Sequence, residues 1–253
     1  MKKVLGLILI AMLIFIPTIS YANTTVSSSM AADPLDVQLQ NILSSPNMTP
    51  EQKEIAIEKY NLLTNSASYK IKNLRTDYYC SIPVTRYAQA ASNWCGPATI
   101  YQTLKYINGT CVSQSNIASS VMNSNGVTTI PALTNYINNN QTANSYLSAT
   151  FTASQTDYFS YLIRTTISVY DAPVVALLKP YKLFSSGYGL SPTPTSSTGM
   201  HFVNIRGQSS DGGYVYLVDP GYTVGGSGSY SVTRTALMNA ILECDAGCRV
   251  IIY

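Results

Sequence analysis

The sequence predicts an α+β fold, helical in its first half and built of antiparallel strands in its second. Three observations predict it. Apolar residues recur at helical spacing in several segments between Leu35 and Val169. Past Pro173 the chain turns to short apolar or alternating runs, and Asp211-Gly212-Gly213 separates two of them as a hairpin turn. Between these regions Cys95-Gly96-Pro97 opens a helix whose stripe is Ile100, Leu104 and Ile107. Pro97 suits the first turn, where its missing N–H costs nothing.

The chain starts with Lys2 and Lys3, then an uninterrupted apolar run from Val4 to Ile16, broken by Pro17. Ser20 and Ala22 put small residues where a signal peptidase reads. A bilayer span needs about 20 apolar residues, and this run is shorter. Residues 1–22 are therefore expected to be a cleaved secretory signal, leaving an exported protein with no stable membrane anchor. Residues 23–75 form an N-terminal extension. Leu35, Val37, Leu39, Ile42 and Leu43 suggest a short helix, and Thr49-Pro50-Glu51-Gln52 starts a second with nearly a capping box. The extension reads equally as a pro-segment, a docked appendage or a linker. The main domain then spans 76–253, its boundary falling near Tyr69–Thr76.

Within the domain, Tyr78 to Val84 reads as a strand leading to the Cys95 helix, which Asn108-Gly109 ends. Ser113 caps a second helix to Met122, Asn125-Gly126 turns, and Thr129 caps a third with Leu133, Tyr136 and Ile137 inside. Tyr146 to Thr152 is a strand, and Thr156 to Val169 a helix burying Phe159, Leu162, Ile163 and Ile167. Pro173 to Lys179 is a continuous apolar run, as a central strand should be. The Ser/Gly/Pro/Thr-rich loop 183–199 is long enough to suggest function. Gly199 to Arg206 and Tyr214 to Asp219 are the hairpin strands. Ser231 or Thr233 starts a helix through Leu242, and Arg249 to Tyr253 closes as a strand.

With 46% apolar residues the chain can fill a core, and with 11% charged residues and no Lys/Arg cluster it excludes a nucleic-acid partner. Export permits disulfides. Five cysteines leave at least one thiol unpaired within the chain. Cys244 and Cys248 are close enough to close a small loop. Cys80 and Cys111 bracket the Gln89–Cys95 segment and either staple it or stay buried thiols. A single histidine and a single C-x₃-C pair speak against zinc, and no cofactor or metal is expected.

Cys95 at a helix start meets the positive end of the backbone dipoles, which favours a thiolate. His201 begins one hairpin strand and Asp219 ends its antiparallel partner, so the two ends lie side by side. Asp219 can then hold the imidazole tautomer while the other ring nitrogen faces a thiol. Asp211 sits at the far end of the hairpin and Asn204 lies deeper in the strand, so both are weaker rivals. Each residue also has a plainer role open to it: a core histidine, a turn aspartate, a surface Gln89, a core Trp94.

Gln89, then Trp94-Cys95-Gly96-Pro97-Ala98-Thr99, then Gly199-Met200-His201-Phe202-Val203, then Val218-Asp219-Pro220, resemble the papain-like cysteine peptidases. The branch they resemble most includes the bacteriocin-processing, double-glycine leader peptidases (C39-like). The order Cys, His, Asp and the six-residue step from glutamine to cysteine both match, over roughly Ile82 to Tyr253. The resemblance implies a papain-like fold with the nucleophile helix packed on the C-terminal sheet, and a peptide or protein substrate. It implies Cys95 as nucleophile, His201 as base and acid, Asp219 as its orienter, and Gln89 with the Cys95 N–H as oxyanion hole. A cell-wall peptide amidase or transpeptidase would use the same residues, and a silent papain-like shell would serve only for binding.

Overall fold

The computed structural model describes residues 30–64, 80–197 and 199–253. The expected signal and the boundary near Tyr69–Thr76 lie outside the described residues. The extension supplies α1 (Leu35–Ser44) and α2 (Pro50–Thr64). The domain continues with β1 (Cys80–Ser81), α3 (Cys95–Asn108), α4 (Gln114–Val121), α5 (Ile130–Asn139), β2 (Ser148–Thr150) and α6 (Thr156–Val169). Next come β3 (Val174–Leu178), α7 (Pro180–Ser185), β4 (Leu190–Ser191), β5 (His201–Gln208), β6 (Tyr214–Val218), β7 (Thr223–Val224), β8 (Ser229–Thr233), α8 (Arg234–Leu242) and β9 (Val250–Ile252). This is α+β, and the paired strands are antiparallel.

The main sheet runs β2-β9-β3-β5-β6-β8, with β1 also on β5. β5 serves two neighbours on one side: His201–Ile205 pairs β3, and Gly207–Gln208 pairs β1. Helices cover both faces, which is why β3 is buried at every residue. One apolar layer packs Ile100, Leu104, Ile117 and Leu133 of α3 to α5 against Val175, Leu177 and Phe202. The other packs Phe159, Leu162, Leu237 and Ile241 of α6 and α8 against Val174, Ala176 and Val203.

The sequence signals at helix ends hold. Ser113, Thr129 and Thr233 each accept a hydrogen bond from a first-turn N–H. Gly109 ends α3 with φ of 72°. Thr49 and Gln52 form a reciprocal capping box. Three readings change. Loop 183–199 contains the end of α7 and the short strand β4, which pairs β7. Ser229–Thr233 is a strand before it is a helix cap, paired with β6. The strand expected at Tyr78–Val84 is only Cys80–Ser81 within the described residues.

No disulfide forms: Cys80, Cys95, Cys111, Cys244 and Cys248 are all free thiols. Cys80 packs in the layer of α6 and α8, whereas Cys111 packs in the layer of α3 to α5, so the sheet stands between them. Cys244 points its thiol at the carbonyls of Leu177 and Ala240, both at 3.8 Å, rather than into a bond with Cys248.

The extension is docked through buried polar groups. Gln52 donates to the carbonyls of Asn138, Gln141 and Asn144. Lys59 is fully buried, donates to Asn144 Oδ1 and the Ser145 carbonyl, and lies over the rings of Tyr146, Tyr170 and Tyr253. Gln38 accepts from the backbone N–H of Ser148 on β2 and donates to the Ser148 carbonyl. The extension thereby covers the edge strand of the sheet.

Candidate active site

Cys95 is the first residue of α3, and Trp94 before it gives no side-chain cap. The first-turn N–H groups are thus left to whatever lies at the helix mouth. His201 is the first residue of β5, opposite Leu178 of β3. Asp219 follows β6 directly, and its N–H donates to the Gly228 carbonyl. A bulge between Ile205 and Gly207 sets the hairpin register so that Asn204 faces Val218. Asp219 therefore lies across from Val203 rather than His201, and its side chain reaches back to the ring.

His201 Nε2 and Asp219 Oδ1 are 2.7 Å apart, and both side chains are buried. The same oxygen accepts the N–H groups of Gly221 and Tyr222, each at 2.8 Å. Oδ2 accepts the Tyr230 hydroxyl at 2.7 Å. Burial opposes the Asp219 charge, but His201 and these donors outweigh it and hold the carboxyl below its usual range. Burial also opposes the imidazolium. The Asp219 charge and hydrogen bond, with a contribution from Cys95, overcome that and push His201 up to about 10.

With Nε2 committed to Asp219, Nδ1 is the nitrogen left for the thiol. Burial raises the Cys95 pKa, but hydrogen bonding and charge from His201, with the N–H groups of Phe202 and Gly96, outweigh it and bring a net fall. A lowered thiol beside a raised imidazole favours a thiolate–imidazolium pair.

Gln89 comes in against the turn that follows Asp219. Its backbone N–H donates to Pro220 O, tying it to the turn that carries Asp219. Its Nε2 donates to Ala91 O at 3.0 Å and Ser92 O at 2.8 Å, so the amide hydrogens face its own loop. Donation to an oxyanion would require one of these bonds to be exchanged. Oε1 is buried and has no hydrogen-bond partner among the described residues. It packs against Gly221, where a Cβ would fall 2.8 Å from both Oε1 and His201 Cε1. Only glycine lets the two side chains close over that turn.

Cys95, His201 and Gln89 line one cleft of about 690 Å³. Asp219 sits behind the imidazole, 1% exposed. The rivals are elsewhere. Asp211 is an exposed turn residue accepting from Ser209 and Gly213. Asn204 is fully buried and bonds to α3. Trp94 is half-buried at the helix start. Among the described residues no group of three or more His, Cys, Asp or Glu is placed to hold a metal.

Sequence reasoning missed Tyr230, Tyr222, Gly221 and Arg86. The Tyr222 ring stands edge-on to His201 with centroids 5.0 Å apart. Arg86 Nε donates to the Asp219 carbonyl at 2.8 Å. Alternation in Ser229-Tyr230-Ser231-Val232-Thr233, where Tyr230 and Val232 are buried, was a strand signal that could have placed Tyr230.

No curated protein matches the chain. The Peptidase_C39 like family matches it over residues 81–242, a span holding Cys95, His201, Asp219 and Gln89. The chain belongs to that family, and with it to the papain-like cysteine peptidases.

Proposed function

We propose that this chain is an exported cysteine peptidase that hydrolyses a peptide bond through a thioester on Cys95. The Cys95 sulfur attacks the scissile carbonyl carbon, and the carbonyl π pair moves onto oxygen. The Cys95 N–H and a Gln89 N–H receive that oxyanion; one such donor is typically worth roughly 3 kcal/mol. His201 then gives its proton to the leaving amine as the C–N bond breaks. Water, deprotonated by the same ring, attacks the thioester and releases the acid and the thiol. Asp219 keeps the imidazole oriented and stabilises its charge.

The observation that carries this reading is geometric: Cys95 at the start of α3 and His201 at the start of β5 share one cleft, and Asp219, hydrogen-bonded at both oxygens, holds the imidazole from behind. Export rests on the Lys2/Lys3 start and the apolar run to Ile16. The test is a thiol-reactive probe with a peptide library. Cys95 should alkylate faster than an unfolded thiol near neutral pH, His201→Ala should remove that advantage, and Cys95→Ala should abolish peptide cleavage. A Cys95 that reacts no faster than a denatured thiol sinks the reading.

A further inference from the structure

One wall of the cleft comes from outside residues 81–242. Met30, just ahead of α1, lines it. It packs with Met200 against the apolar layer that contains Leu177 and Phe202. Leu177 and Phe202 are register partners on β3 and β5, one step from His201. The segment that follows Met30 is anchored at three points. The Ala32 N–H donates to Gly247 O at 3.1 Å. Ala31 lies so close to Gly247 that a Cβ there would come within 2.8 Å of its methyl. Gln38 then clamps the chain to Ser148.

None of the described residues lining the cleft is Asp, Glu, Lys or Arg. Away from the Cys95–His201 pair, a charged substrate side chain entering the apolar end would lose its water and find no Asp, Glu, Lys or Arg to pair with. An apolar one would bury area against Met30, whose unbranched thioether adapts to varied shapes.

We propose that Met30, with Leu177, Met200 and Phe202, forms the pocket for an uncharged apolar side chain of the peptide substrate. The N-terminal extension is then a working wall of the substrate site, not a pro-segment shed before activity. This rests on the peptidase reading above, and the test separates the two. Full-length protein, Met30→Ala and Met30→Lys are each treated with iodoacetamide and with a pair of peptidyl vinyl sulfones. The two sulfones differ only in one side chain near the electrophile, leucine or aspartate. Iodoacetamide reads the thiolate alone, and each variant's sulfone rates are divided by its own iodoacetamide rate. The wild type should prefer the leucine reagent by tenfold or more. Met30→Ala should reduce that ratio about tenfold, the size expected for losing apolar contact in a pocket. Met30→Lys should shift it toward aspartate. Thermal melts check that both variants fold. A slow, His201-independent iodoacetamide reaction defeats the peptidase reading. A fast reaction with an equal leucine and aspartate rate, or a ratio untouched by either Met30 variant, overturns the pocket and leaves the peptidase intact.

Discussion

At the scale of single residues, the Asp219 carboxylate is the most constrained group in the site. Four donors converge on its two oxygens: His201, Gly221, Tyr222 and Tyr230. Among the described residues Tyr230 alone donates to Oδ2, and burial strongly disfavours its ionisation, with the Asp219 carboxylate adding to that. Tyr230→Phe leaves Oδ2 buried without its donor. The expected cost is about 1–3 kcal/mol of stability, measured by urea unfolding. Kcat should fall more than KM changes, because a loosened Asp219 lets the imidazole wander. A second prediction concerns pH. His201 is pushed up to about 10, so the imidazolium survives well into alkaline solution. Its contribution to stability is complete below about 6.5 and fades as pH rises through about 10. On the mechanism proposed above, peptide hydrolysis needs the His201 proton for the leaving amine and should decline above about pH 10. Alkylation of Cys95 needs only the thiolate and should hold level there. On the acid side both should fall together as the thiolate is protonated, with apparent pKa values that belong to the pair. An alkylation rate that drops in parallel with hydrolysis at high pH would contradict this assignment of roles.

At the scale of elements, the helices show where sequence was sufficient. The strong apolar stripe of Thr156 to Val169 and its neighbours gives α6 to the residue. Cys95-Gly96-Pro97 gives the start of α3, because a proline in the first turn and a glycine stop at the far end are local signals. The extension shows where sequence was not sufficient. Gln38, Gln52 and Lys59 are buried polar groups on α1 and α2, and their partners are carbonyls and amides some 85 to 110 residues away. No local pattern marks a glutamine as an anchor. The prediction at this scale is that α2 comes loose when that anchor is cut. Gln52→Ala leaves up to two buried carbonyls, those of Asn138 and Gln141, short of this donor, while Asn144 O keeps Gln141 Nε2; each is worth about 1–3 kcal/mol if water does not replace it. Limited proteolysis should then cleave within 30–64 much faster than in wild type, while Lys53→Ala, one residue on, should leave the rate unchanged. Equal protease resistance in all three would mean that the apolar contacts of Ile42 and Ala56 suffice without the polar lock.

At the scale of the whole molecule, the site exists because a helical layer and a sheet meet at one register. Cys95 belongs to the first and His201 with Asp219 to the second, so their pairing depends on how α3 is seated on β5. The seating is polar at its centre. Asn204 Nδ2 donates to the Thr99 carbonyl at 3.1 Å and to Gln102 Oε1 at 3.0 Å. Asn204 Oδ1 accepts the Thr103 hydroxyl at 2.9 Å, and the Thr99 hydroxyl donates to the Phe202 carbonyl at 3.1 Å. Each of these groups is almost wholly buried and satisfied, which fixes the sliding position of the helix in a way that apolar contacts alone do not. The hairpin could be read from sequence as far as Asp219, but the seating could not. Asn204 in a run of apolar residues looks like a candidate orienter of His201 until its partners on α3 are known. Asn204→Ala removes three hydrogen bonds and leaves the buried Gln102 Oε1 and Thr103 hydroxyl without this partner, so stability should fall by about 3 kcal/mol. The alkylation midpoint of Cys95 should also move up toward an ordinary thiol, because a helix free to shift carries the sulfur away from the imidazole. Thr103→Val removes one bond and should cost about 1 kcal/mol with a smaller shift of the midpoint. A destabilised Asn204→Ala protein whose Cys95 titrates as in wild type would show that the nucleophile is held by its own loop, through Gln102 on the Tyr87 carbonyl and Gln114 on Ala88 and Ala90, independently of the helix seat.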